Sequence, residues 1–268
     1  MTAILLCSVG LVVNVIATAG IGNTFSLMIT NWSGHSLLMA IILVGLASLV
    51  LGMGLPVTAA YIVLGTLSAP ALFNLIADTQ IIQTLAAGSL SEEAKAVLML
   101  AIPDKMELLA NPMSTAQARQ LLDLIPIELA GTVRDMALLP GSATFILLSA
   151  HMIVFWLSQD SNVTPPVCLA AFTGAAIAGT PPMSTGLQSS KIAKALYIIP
   201  LLFAYTPILV GTWAQIIPIF FFALFGLYCF TCAIQGHMEN RISLLTRIFL
   251  LVLTYFLLKP TELWIHVI

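Results

Sequence analysis

From Met1 to Ala77 the chain carries no Asp, Glu, Lys or Arg. Soluble domains draw about 25% of their residues from those four types. Here they make up 7% of 268 residues, against 60% that are hydrophobic. Further charge-free runs cover 136–159, 161–190 and 195–238. Each is long enough to supply the roughly 20 apolar residues that cross a hydrocarbon core. The chain therefore reads as an all-α integral membrane protein in a lipid bilayer. Its net charge of −2 and its lack of a basic patch give nucleic acid nothing to bind. The opening residues, Met1-Thr2-Ala3-Ile4, lack a basic n-region, so the first apolar run reads as a retained helix rather than a signal peptide.

Two interruptions stand out in this apolar background. The first is Leu51-Gly52-Met53-Gly54-Leu55-Pro56, the second Ser161-Asn162-Val163-Thr164-Pro165-Pro166. Gly and Pro release backbone N–H and C=O groups from helical pairing. Lipid cannot pair them, so they must meet protein or a water-filled cavity. Two broken apolar segments are the best sequence pointer to a transporter's substrate and ion site. The plainer alternative is that both motifs only kink packed helices.

Along the chain, a first helix is expected over about 2–19, ending at Ala19-Gly20, with a polar bend at Asn31–His35. Limbs over about 37–51 and 57–73 flank Gly52–Pro56. Both are short for a span and read as a re-entrant hairpin, or else as an interrupted helix pair. Residues 78–135 hold eight acidic and four basic side chains. Ser91 before Glu92-Glu93, and Ser114 before Thr115–Gln117, are helix N-cap signals. The chain re-enters at about 140, breaks at Ser161–Pro166 and continues to about Gly179. Pro181-Pro182 and Gly186 mark a loop with Lys191 and Lys194. Helices over about 195–212 and 214–235 follow, then a final apolar segment weakened by Lys259 and Glu262. Three regions result: 1–77, a membrane helix plus hairpin; 78–135, an amphipathic helical insert; and 136–268, a membrane domain with the broken helix and C-terminal helices. About six to seven transmembrane or re-entrant helical segments are expected in all. Lys191, Lys194, Arg241 and Arg247 flank a two-helix hairpin, which the positive-inside rule makes cytoplasmic at both ends. The N-terminus is then cytoplasmic and 78–135 extracytoplasmic.

Gly52-Met53-Gly54-Leu55-Pro56-Val57-Thr58-Ala59-Ala60-Tyr61, with Ala69-Pro70-Ala71-Leu72 after it, resembles the large, DctM-like membrane subunit of TRAP transporters. So do Ala150-His151-Met152-Ile153-Val154-Phe155-Trp156, Thr164-Pro165-Pro166-Val167 and Pro182-Met183-Ser184-Thr185-Gly186. The branch it most resembles is the fused, TAXI-type permeases, and the resemblance covers roughly 3–75 and 145–212. The resemblance implies half of an inverted-repeat, elevator-type transporter, its C-terminal half, in the cytoplasmic (inner) membrane of a bacterium or archaeon. It implies sodium-coupled uptake of an organic acid delivered by an extracytoplasmic solute-binding protein. It also implies a partner supplying the other half, or a small membrane subunit.

By the family pattern, Gly52, Gly54, Ser161, Thr164 and Val167 would form a sodium site, and Thr58, Asn162 and Pro165 would line the substrate cavity. No cofactor is expected beyond sodium as the coupling ion. Asp160 is the only acid between 136 and 238. A carboxylate at membrane depth is a functional hypothesis by default, here a charge or proton relay, with a wetted loop as the alternative. His151 reads first as a hydrogen-bonded packing residue. Cys229 and Cys232 have C-x-x-C spacing but no second ligand pair, so they read as helix thiols. Without a nucleophile–base pair, H-E-x-x-H or P-loop motif, the chain is not expected to be an enzyme. A non-transporting assembly subunit, or a truncated inactive permease, is the rival from another class.

Overall fold

The computed structural model describes residues 2–103, 113–138, 141–166 and 168–258. Helix α1 (Thr2–Thr18) ends where expected and is followed by α2 (Ile21–Trp32), which was not anticipated. The two meet at a 73° bend. Gly20 makes it with φ of 68°, a left-handed conformation open to glycine without steric cost. Helix α3 (Leu37–Gly52) is capped by the Ser36 hydroxyl, which accepts from the Met39 N–H, and agrees with the expected first limb.

The second limb does not end at 73. Helix α4 runs Val57–Ala86, 30 residues, straight through Pro70. It is long and apolar enough to cross a membrane, so the expectation of two short limbs holds for α3 and fails for α4. Pro70 takes the N–H that would have paired with the Thr66 carbonyl. Gly22 of α2 lies against that carbonyl, a Cβ there falling 3.4 Å from it, in ordinary van der Waals contact.

Short helices follow: α5 (Glu92–Ala101), α6 (Thr115–Asp123) and α7 (Ile127–Ala137). Ser91 caps α5, and Ser114 with Gln117 forms a reciprocal capping box on α6, as the N-cap signals predict. Helix α8 (Ser142–Ser158) continues into a single turn, α9 (Asp160–Val163). After the break come α10 (Leu169–Ala178) and α11 (Pro182–Ile192). The expected loop at Pro181-Pro182 is thus a helix start. Pro182 sits at its first position, where a missing N–H costs nothing. The expected helix over 195–212 is also corrected. It is a 3-10 turn at Ala193–Tyr197, a short α12 (Ile199–Tyr205) and a second 3-10 turn at Pro207–Leu209, interrupted where Pro207 cannot donate. Helix α13 (Trp213–Gln235) matches its expected span, and α14 (Leu244–Leu258) closes the described chain. Lys259 and Glu262 lie outside the described residues. A two-residue antiparallel bridge, His237 to Arg241 and Met238 to Asn240, joins α13 to α14.

Among the described residues, three segments are long and apolar enough to span a membrane: Val57–Ala86, Ser142–Val163 and Trp213–Gln235. The bent α1–α2 pair makes a fourth if it is one span, and α3, α10 and α14 are shorter apolar helices. The chain divides into two compact units, Leu72–Leu148 and the remainder. In the first, Leu75, Ile81, Leu98, Leu121 and Val133 form the buried core. Asp78 and Arg134 join within it through two parallel hydrogen bonds of 2.7 and 3.0 Å. In the second, Val44, Leu64, Ile153 and Val154 are fully buried. Outward, α13 and α14 show aromatic and aliphatic side chains such as Phe221, Phe225, Phe249 and Phe256, the surface a helix presents to lipid.

Candidate functional site

The two sequence interruptions meet. Helix α3 ends at Gly52, and its last turn tightens through Gly54 N–H to Leu51 C=O (3.1 Å) and Leu55 N–H to Leu51 C=O (3.0 Å). Pro56 has no N–H to offer Gly52. Among the described residues, the carbonyls of Met53, Gly54 and Leu55 accept no backbone hydrogen bond. Across from this bend, α9 closes with Thr164 N–H donating to Asp160 C=O at 2.9 Å. Pro165 and Pro166 then withhold the donors that Ser161 and Asn162 would receive in a continuing helix. The break therefore presents partly negative carbonyl oxygens, as helix C-terminal ends do.

Gly52 lies directly on Ser161: a Cβ placed on Gly52 would fall 3.0 Å from Ser161 Cβ and 3.3 Å from its Cα. Beside this contact is a cavity of about 90 Å³. Its lining includes Gly52, Met53, Asp160, Ser161, Thr164 and Pro165. Five residues singled out from the sequence thus come together. Three others do not line it: Gly54 and Thr58 are exposed, and Asn162 is half-buried. Val167 lies outside the described residues.

Asp160 is 1% exposed, so the reading of a wetted loop gives way to a buried carboxyl. Its Oδ2 has no hydrogen-bond partner among the described residues. The Tyr197 hydroxyl, from the 3-10 turn before α12, is the polar group that neighbours the Asp160 carboxyl and the Thr164 side chain. Sequence reasoning missed Tyr197, which carries no local signal and comes near through the fold. The Ser161 hydroxyl is spent on the Ser158 carbonyl (3.1 Å), leaving its backbone carbonyl as the free group.

His151 is half-buried, with Nδ1 3.3 Å from the Tyr61 hydroxyl, in the packing role read from the sequence. Cys229 and Cys232 are free thiols. Among the described residues, no three His, Cys, Asp or Glu side chains converge to hold a metal ion.

Apolar spanning helices, one of them broken against a neighbouring bend, define a multi-pass helical membrane protein. The family model described as the tripartite ATP-independent periplasmic transporter, DctM component, matches residues 1–216. The chain belongs to this family of transporter components. Membership implies association with a solute-binding protein and a small membrane subunit. Comparison with curated proteins and with solved structures found no match.

Proposed function

We propose that the chain is a TRAP permease component of the TAXI type, carrying the C-terminal of two inverted halves. It works in the cytoplasmic membrane on an organic acid that an extracytoplasmic binding protein delivers. Sodium drives uptake, held between the Gly52–Leu55 bend and the Asp160–Pro165 break. The N-terminus is cytoplasmic and 78–135 faces outward, a reading supported by Lys191, Lys194 and Arg247, which gather at the C-terminal end of α13.

The observation that carries this reading is the meeting of the two interruptions around one cavity, each with carbonyls stripped of backbone donors by proline. Carbonyl and hydroxyl oxygens are the ligands a hard cation takes. The free carbonyls of Ser161, Asn162 and the bend supply the first kind, and Thr164 the second. Gly52 contributes by its size, since it lets the two backbones approach. Pro165 lines the cavity, and with Thr58 and Asn162 it is the proposed set of positions for contacts to substrate.

The test is uptake of radiolabelled organic acids into proteoliposomes holding the full complex, with an imposed sodium gradient. Wild type should require sodium, and Thr164→Ala should lose at least tenfold in apparent sodium affinity. Equal uptake with choline in place of sodium, unchanged in Thr164→Ala, would refute the site.

A further inference from the structure

Where α11 and α13 end, the fold gathers positive charge. Lys191 lies in the last turn of α11, and Lys194 in the 3-10 turn that follows. A spacing of three residues puts the two on one face. Both are exposed, and both line a cleft against α13. Phe230, Thr231, Ile234 and Gln235 form the opposite wall, with the recurrence that marks one side of a helix. Arg247 of α14 donates to the Ile234 carbonyl, so a third positive charge stands next to that wall. Among the described residues, neither lysine has an ion-pair partner. Between Ser161 and Leu258 the sequence holds four basic side chains and a single acid, Glu239. Glu239 neighbours Tyr228, which faces away from Phe230 and Ile234 around α13. The cleft is therefore net positive and lacks a counter-ion of its own.

We propose that this cleft binds the headgroup of an anionic phospholipid. The site goes beyond the sodium reading and does not depend on it. Such a lipid joins a phosphate diester to acyl chains, and the surroundings fit both parts. The two ammonium groups attract the phosphate, each contributing about fivefold at a charged membrane surface. Gln235 is exposed at the cleft and offers its amide to the headgroup. The Thr231 hydroxyl gives its proton to the Leu227 carbonyl at 2.8 Å, which leaves its oxygen to accept from a headgroup hydroxyl. Apolar side chains continue away from the cleft. Leu187 lies one turn before Lys191, while Leu224 and Phe220 lie two and three turns before Thr231, and all three are exposed. They give acyl chains a surface to lie on. Free phosphate has no chains, so a lipid is the occupant that uses both halves of the site.

The test titrates phosphatidylglycerol or phosphatidylcholine into the purified full chain in detergent. Thermal stabilisation reports affinity, and native mass spectrometry reports the lipid retained. Potassium salts throughout keep the proposed sodium site out of the reading. Wild type should prefer phosphatidylglycerol by about twentyfold, the product of two lysines, and retain a single molecule of it. In Lys191→Gln/Lys194→Gln the preference should fall below about threefold. Both side chains are exposed, so this variant should unfold at the wild-type temperature when no lipid is added. Lys191→Arg/Lys194→Arg keeps the charges and should keep the preference, which guards against a loss caused by misfolding. Lys95→Gln, which removes a charge paired with Glu92 in the other compact unit, should leave the preference unchanged. Potassium phosphate should not stabilise the protein beyond potassium chloride. Equal stabilisation by the two lipids, or a wild-type preference in Lys191→Gln/Lys194→Gln, would overturn the proposal. Stabilisation by potassium phosphate as strong as by phosphatidylglycerol would replace the lipid with a free anion, and so overturn it too.

Discussion

Gly52 and Ser161 touch through their backbones, at a separation where a single methyl group on Gly52 would come 3.0 Å from Ser161 Cβ and 3.3 Å from its Cα. Gly54, two residues on, has nothing within 4 Å of the same construction. The pair thus makes an internal control. Gly52→Ala should cost about 1–3 kcal/mol through overpacking, because the opposing Cβ and Cα of Ser161 are fixed by its backbone and cannot rotate away. Gly54→Ala should stay close to wild type in stability. Thermal unfolding in detergent compares the two, and equal melting temperatures would show that the contact is not tight.

The Asp78–Arg134 pair makes a separate prediction within the Leu72–Leu148 unit. Both side chains are about one-fifth exposed, and the guanidinium meets the carboxylate through Nε and Nη2 together. Removing either partner by Asp78→Asn or Arg134→Ala should cost about 1–3 kcal/mol, since the survivor remains half-buried and unpaired. Arg134→Lys should recover little, because an ammonium cannot reproduce the two-pronged geometry. A double-mutant cycle in chemical unfolding measures the coupling. A value near zero would mean the pair behaves as an exposed salt bridge.

The contrast between these two sites also explains what could be read from the sequence. Helix starts at Ser91 and Ser114 were legible because capping is local: the hydroxyl and the N–H it accepts from are three residues apart. The breaks at Gly52–Pro56 and Thr164–Pro166 were legible because proline removes a donor wherever it stands. The length of α4 was not. Its apolar run fades at Asn74 and Asp78, and what lets the helix accommodate Asp78 is Arg134, distant in sequence and visible only in three dimensions. Tyr197 was hidden for the same reason, since its reach to Asp160 and Thr164 depends on how the 3-10 turn is placed. Pro181-Pro182 misled in the other direction, because a proline that ends one helix can equally begin another.

Arg247 illustrates a charge with a second duty. From the sequence it reads as one of the basic residues that set orientation. In the fold its Nε donates to the Ala233 carbonyl at 2.7 Å and its Nη2 to the Ile234 carbonyl at 3.1 Å. These are unsatisfied acceptors of the last turn of α13, which ends at Gly236 in the left-handed region. Arg247→Ala should destabilise the α13–α14 pair by about 1–2 kcal/mol, from lost capping and the lost interaction with the helix dipole. Arg247→Lys keeps the charge, and with it any role in orientation, while losing one of the two bonds. Hydrogen exchange at the end of α13 should therefore accelerate in both variants, more in Arg247→Ala. Unchanged protection in Arg247→Ala would remove the capping role.

Gly186 on α11 packs against the far side of the break, and the contact is closer still. A Cβ there would lie 2.6 Å from Cys168 Sγ, 3.2 Å from Pro165 Cγ and 3.4 Å from Phe172 Cε1. Cys168 is fully buried, so its sulfur has no open space to retreat into. Gly186→Ala should therefore displace α11 from the Pro165 segment and cost about 1–3 kcal/mol. Cys168→Ala alone should cost roughly 1 kcal/mol, by leaving a small void. The double variant should be more stable than the sum of the two losses, because the new methyl group occupies space the sulfur vacated, and such coupling between touching residues is the expected failure of additivity. Because Pro165 also lines the cavity with Thr164, sodium-dependent uptake should follow the same order: lowest in Gly186→Ala, and partly restored in the double variant. Strict additivity of the stability losses would show that Gly186 and Cys168 do not share this space.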